Sequence, residues 1–198
     1  MYSPEDGAGP AYGSRNASQR RFALKRATDE AHARVEGIVQ AANMFGSVDS
    51  YRRYVAATWQ MRDRFERLLD MNGAAELWPD WPGRRIAGLA ARDLRDLDGV
   101  FPETAGESLR SPLTGPELLG VMYVLEGSSL GARVLVRMVG PLGLSEDFGA
   151  RHLHMQAGGT VAWRRFLAVL EAAEEPPCHE TARTVFDAFA SAYQRARG

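Results

Sequence analysis

The chain predicts an all-α protein, and three features of the sequence carry that expectation. Apolar residues recur at helical spacing, beginning with Phe22, Leu24, Ala27, Ala31, Val35, Ile38 and Val39. No stretch alternates apolar and polar residues with period two over a useful length, and no Asn-Gly hairpin signal occurs. Helix starts and stops are punctuated at intervals that leave only short loops. Together these imply a compact single-domain bundle of about six to eight helices, without internal repeat.

Residues 1–17 are rich in Gly, Ser, Pro and Ala and lack periodicity, so a flexible lead-in is expected before a helical domain over 18–198. Ser18 is placed to cap the first helix, and Gly46 lies beyond its end. A second helix starts near Ser47 or Asp49, carries Tyr51, Tyr54, Val55, Trp59, Arg62, Phe65 and Leu69, and stops near Asn72-Gly73. Trp78-Pro79-Asp80-Trp81-Pro82-Gly83 reads as a turn. Ile86, Leu89, Leu94 and Leu97 mark a third helix, stopped by Asp98-Gly99. A linker over 102–115 follows. Pro116 then suits the first turn of a glycine-bearing helix that Gly140-Pro141 ends. A short segment around 149–155 precedes two helices expected over 160–173 and 180–197.

Composition narrows the class of partner. The 198 residues are 45% hydrophobic, enough to bury a sizeable core. A net charge of −1 leaves no electrostatic footprint for nucleic acid or an anionic membrane. The single cysteine, Cys178, excludes an internal disulfide and a cysteine-cluster metal site, and suits a reducing compartment. The first residues lack the pattern of a signal peptide. No apolar run is read as approaching the ~20 residues that span a bilayer. A soluble, cytoplasmic protein is expected.

The segment from Leu119 to Met138 is one apolar helix with Gly120, Gly127 and Gly131 inside it. Spacings of seven and four put all three on one face. An interior glycine costs roughly 1 kcal/mol relative to alanine, so such a run needs a reason. Two readings share the pattern: tight helix–helix packing, or close approach of something flat. Ser128 and Ser129 add hydroxyls to the same turn.

On the first helix, Lys25, His32 and Glu36 share a face. A carboxylate one turn from an imidazole accepts one ring N–H and leaves the other nitrogen outward, as for a ligating histidine. Lys25 is the only lysine in the chain, every other basic side chain being arginine. One imidazole, a nearby cation and a flat wall without side chains are together what haem requires. Its iron takes an axial histidine and its propionates take a cation.

At this point the residues resemble a known family. Leu24-Lys25-Arg26-Ala27-Thr28-Asp29-Glu30-Ala31-His32 is similar to the proximal-helix motif of haem oxygenases. Tyr123-Val124-Leu125-Glu126-Gly127-Ser128-Ser129-Leu130-Gly131-Ala132 resembles the distal helix of the bacterial, biliverdin-producing branch. Arg92-Asp93-Leu94-Arg95-Asp96-Leu97, Gly149-Ala150-Arg151-His152-Leu153 and Trp163-Arg164-Arg165-Phe166 follow in the family's order, over about residues 20–195.

The resemblance implies haem b as cofactor and substrate, with dioxygen and electrons from an external ferredoxin or flavin/NADPH reductase. The products it implies are biliverdin, carbon monoxide and ferrous iron. His32 then matches the axial iron ligand and Glu36 the acid that holds its ring. Lys25 and Tyr123 match propionate contacts, Gly127 and Gly131 the distal glycines, and Ser128 and Ser129 small polar residues near the distal water. A bilin-binding photoreceptor is one downstream partner; neither nucleic acid nor membrane is expected. Ser129 stands where the close bacterial pattern has asparagine, and no acid matches the aspartate of mammalian members. Both departures bear on the water network and the meso carbon attacked rather than on the reaction class.

The other candidates carry blander readings. His152 and His154 suit structural or surface roles, His179 an exposed helix start, and Trp163 and Phe166 core packing with the haem edge as the alternative. Asp93, Asp96 and Asp98 read as a solvated, salt-bridged face beside Arg92 and Arg95. Arg133 and Arg137 are placed to meet a propionate or a redox partner. Two alternatives to the enzyme stand: a non-catalytic haem carrier, store or sensor of the same fold, and a haem-free bundle whose glycines serve packing alone.

Overall fold

The structure is a computed structural model, and it describes residues 19–103 and 112–197. The lead-in expected over 1–17 and the middle of the expected linker lie outside the described residues. The fold is all-α, with eight α-helices among the described residues: α1 Gln19–Ala41, α2 Val48–Met71, α3 Ala74–Leu77, α4 Ala87–Asp96, α5 Gly115–Val139, α6 Arg151–Ala157, α7 Thr160–Ala172 and α8 His179–Arg195. Short 3₁₀ turns occupy Trp81–Arg84 and Gly140–Leu142.

The helix boundaries follow local chemistry. Ser47 caps α2 in a reciprocal box with Ser50, and Thr114 caps α5 with Glu117 in the same way. Each box satisfies amide groups that the first helical turn leaves orphaned. Asp98 takes a left-handed conformation (φ 50°) just after α4, where a right-handed helix cannot continue.

α1 packs on α8 and α7, α2 on α4 and α8, and α5 on α6, α8 and α7. The core they enclose is aromatic, with Tyr51, Phe65, Trp78, Trp81 and Phe166 fully buried. Tyr54 and Tyr193 stack at 5.3 Å, nearly parallel, and Thr58 joins the Tyr193 hydroxyl at 2.9 Å. The segment read as a Trp-rich turn is therefore part of the core. Trp78 lies against Phe166 at 5.3 Å, and the Trp81 indole donates to Asp70 at 2.8 Å.

One expectation needs correcting. Within Gly115–Leu142 an 18-residue window reaches a mean hydropathy of 1.3, so by length and composition alone this segment is apolar enough to cross a bilayer. The glycines and serines in α5 break up its apolar run to the eye without lowering its average enough. Half of that window is buried inside the bundle, as expected of a core helix.

Candidate active site

The outward face of α1 holds Lys25, Asp29, His32 and Glu36 in a row. Lys25 pairs with Asp29 at 2.8 Å, both well exposed. His32 Nδ1 lies 3.6 Å from Glu36 Oε2, and its ring sits edge-on to Phe186 of α8 at 5.6 Å. The carboxylate therefore stands beside the imidazole without the expected hydrogen bond, the Phe186 ring supports it edge-on, and the side chain stays 55% exposed. Nε2 has no hydrogen-bond partner among the described residues.

The three interior glycines of α5 divide into two uses. A Cβ on Gly120 would stand 2.6 Å from the Cys178 carbonyl, so Gly120 lets α5 close against the chain entering α8. A Cβ on Gly127 would meet only the Trp163 ring, at 3.8 Å, and one on Gly131 nothing within 4 Å. Around Gly131 the helix exposes large apolar side chains: Leu130 is 46% exposed, Val134 61% and Met138 43%. With Gly127 and Gly131 they form one apolar face. Arg133 and Arg137 flank it, exposed and without an ion-pair partner among the described residues.

α1 and α5 share no extensive packing, but they meet at one point. The Tyr123 phenol lies beside Thr28 of α1, and its ring lies 5.8 Å from Trp163. Burial pushes this phenol above its ordinary range, against the pull of neighbouring Thr28 and the charge of Arg21. His32 lies one turn past Thr28, and Gly127 one turn past Tyr123. Beyond this contact no α1 atom comes within 4 Å of a Cβ placed on Gly127 or Gly131. Trp163 and Phe166 are core residues, Trp163 also closing one end of the bare wall.

Behind the wall the chain is polar. Ser128 Oγ donates to the Leu125 carbonyl and accepts from Gln156 Nε2, each at 2.6 Å. Ser129 Oγ is buried with no hydrogen-bond partner among the described residues. A Cβ at Gly159 would fall 2.5 Å from Arg84 Nη2 and 3.3 Å from Ser129 Cβ, so the missing side chain leaves room for that guanidinium. Arg84 Nε pairs with buried Glu126 at 2.9 Å. Burial raises the Glu126 carboxyl above its usual range, with Arg84 and Arg62 pulling it back.

The aspartates of α4 and the histidines of α6 depart from a solvated face. Asp93 is fully buried and accepts from the Arg151 and His152 amides and from His152 Nδ1 at 2.8 Å. Burial raises its carboxyl, but the hydrogen bonds and the charge of His152 outweigh that and hold it below 3.8. Asp96 remains near the surface, bonded to Arg151. His152 is fully buried, with Nε2 unpartnered. His154 is a surface group, 4.0 Å from Glu146. Sequence reasoning missed Arg84 and Glu126 behind the glycine turn and read Asp93 as solvated, whereas the structural role read for His152 agrees with its burial against Asp93.

No family model matches the chain. The haem oxygenase PigA of Pseudomonas aeruginosa is 36% identical over 152 residues, which is 76% of this chain and 77% of that protein. This chain belongs to the bacterial haem oxygenase family. A haem oxygenase of Xanthomonas campestris pv. campestris is 28% identical over 128 residues, covering 62% of this chain and 73% of that one. The fold agrees with a second line of comparison. The NO- and CO-bound haem oxygenase of Neisseria meningitidis superposes with a TM-score of 0.79 over 90% of this chain and 92% of that one, at 23% identity.

Proposed function

We propose that this haem oxygenase binds haem between His32 and the bare face of α5, opening the ring to biliverdin, carbon monoxide and ferrous iron. The carrying observation is a braced imidazole with a free Nε2, paired with a helix that exposes glycine and large apolar side chains to solvent. Soluble proteins bury such a stripe or keep it for a partner. Haem is flat, apolar on both faces and anionic along one edge, and the residues fit it. His32 Nε2 takes the iron, with Glu36 and Phe186 fixing the ring's aim. Gly127, Gly131, Val134 and Met138 receive the opposite face. Lys25 and Tyr123 serve the propionates, near where α1 meets α5.

Bound haem supplies the iron that activates dioxygen and the meso carbon that is oxidised. The chain supplies the surroundings. Glycine at 127 and 131 places no acid or base over the iron, so protons come from water held by the polar groups behind the wall. Asp93 holds His152 through Nδ1, which leaves the buried Nε2 as a polar group for such a water. Ser129 Oγ and the Ser128–Gln156 pair extend the same polar column. Electrons come from an external ferredoxin or flavin/NADPH reductase, and a bilin-binding photoreceptor is a fitting consumer of the product.

Adding reductant and oxygen to the haem-loaded protein tests the reading. The Soret band should give way to a biliverdin spectrum with release of carbon monoxide. Haem that cycles between oxidation states with its ring intact would instead mark a carrier or sensor.

A further inference from the structure

The glycine wall cannot position itself. Gly127 and Gly131 have no side chains to pack, and from the open side only Trp163 touches the turn. What holds this part of α5 lies behind it, in charged residues the proposed reaction does not use.

Arg62 of α2 is 2% exposed. Its Nε donates to Glu66 at 2.7 Å, its Nη1 to the Leu125 carbonyl at 3.0 Å and its Nη2 to the Arg84 carbonyl at 3.3 Å. Glu66 in turn accepts the Ile86 and Ala87 amides at 2.9 and 3.0 Å, holding the start of α4. Arg84 takes Glu126, the residue after Leu125. Two guanidiniums therefore clasp α5 at Leu125-Glu126, Arg62 through the Leu125 carbonyl and Arg84 through the Glu126 carboxylate, immediately before Gly127. The Leu125 carbonyl also accepts Ser128 Oγ, so side chains of α2 and of α5 itself converge on one backbone oxygen. Such a fork holds direction as well as distance, because a guanidinium donates in fixed planar geometry. A lysine in its place keeps the charge and loses the fork.

We propose that Arg62 is a positioning residue for ring opening: by holding the Leu125 carbonyl from α2, it sets where the Gly127–Gly131 wall stands over haem, and so which meso edge is attacked. This rests on the haem oxygenase reading above, and the test separates the two.

The test compares Arg62→Lys with wild type in three readouts: hydrogen exchange of the haem-free protein, haem titration, and chromatography of the bilin isomers formed. Arg62→Lys should raise amide exchange selectively over residues 127–133 and bind haem within about threefold of wild type. It should also change the isomer ratio by threefold or more, because displacements near 1 Å matter in such sites. Leu69→Ala, a buried change elsewhere on α2, should lower stability and leave the ratio alone. If Arg62→Lys lowers stability as Leu69→Ala does, with wild-type exchange over 127–133 and a wild-type isomer ratio, the proposal is overturned. Should Arg62→Lys fail to fold, Ser128→Ala reads the same carbonyl. It should shift the ratio, and an unchanged ratio would count against the tether. A wild-type protein that binds haem but never opens it sinks the functional reading, while the exchange measurement still decides whether Arg62 holds the wall.

Discussion

The two halves of α5 both carry glycine among apolar residues and have opposite surroundings. From Leu118 to Glu126 almost every residue is buried, Glu126 included, and Gly120 is pressed against a neighbouring backbone. From Gly127 to Met138 the helix turns Leu130, Val134 and Met138 to solvent, and Gly131 faces open space. The first half has found its partners within the fold. On the proposed reading, the second half keeps its apolar face for haem. An interior glycine therefore has two distinct meanings on one helix, and only the surroundings tell them apart.

Breaking the buried side should cost most. Arg84→Ala leaves Glu126 buried without its closest cation and should destabilise by about 3–5 kcal/mol, read by denaturant unfolding. Asp93→Asn should cost about 2 kcal/mol near neutral pH, since it weakens several hydrogen bonds to a buried charge. Its pH dependence has a definite sign. The folded carboxyl sits below 3.8, so its contribution is fully present above that value and is lost as pH falls through the lower folded value. Acid unfolding of the wild type below about pH 4 should therefore be steeper than that of Asp93→Asn.

The glycines sharpen the comparison directly. Gly120→Ala forces a methyl against the Cys178 carbonyl and should cost about 1–3 kcal/mol. Gly131→Ala meets no neighbour, so helix propensity should make it neutral or stabilising by up to about 1 kcal/mol. The same substitution should slow ring opening or alter its isomer ratio. Equal stability losses at the two positions would remove the distinction between the halves.

Much of the fold was legible because helix ends are written locally. Ser47, Asn72-Gly73 and Gly140-Pro141 act at the boundaries where they were read, whereas the Thr114–Glu117 box lies at the end of a stretch read as linker. The front of the site was legible for the same reason: Lys25, His32 and Glu36 share a face by spacing alone, as do Gly127 and Gly131. The back of the site was not. Arg62, Arg84 and Glu126 are brought together by tertiary packing across 22 and 42 positions of chain, and no period in the sequence marks them. Asp93 has the spacing of a solvated face and is buried because α6 lays Arg151 and His152 over it. The Trp78–Gly83 segment has turn chemistry, yet its two tryptophans are core.

The most direct test of the account is a haem titration followed by the Soret band, with His32→Ala beside the wild type. The account predicts one haem bound per chain, and a His32→Ala protein of unchanged stability whose iron loses its axial imidazole signature. A wild-type protein that gives no specific Soret band, or a His32→Ala variant that binds haem with an identical spectrum, would contradict it.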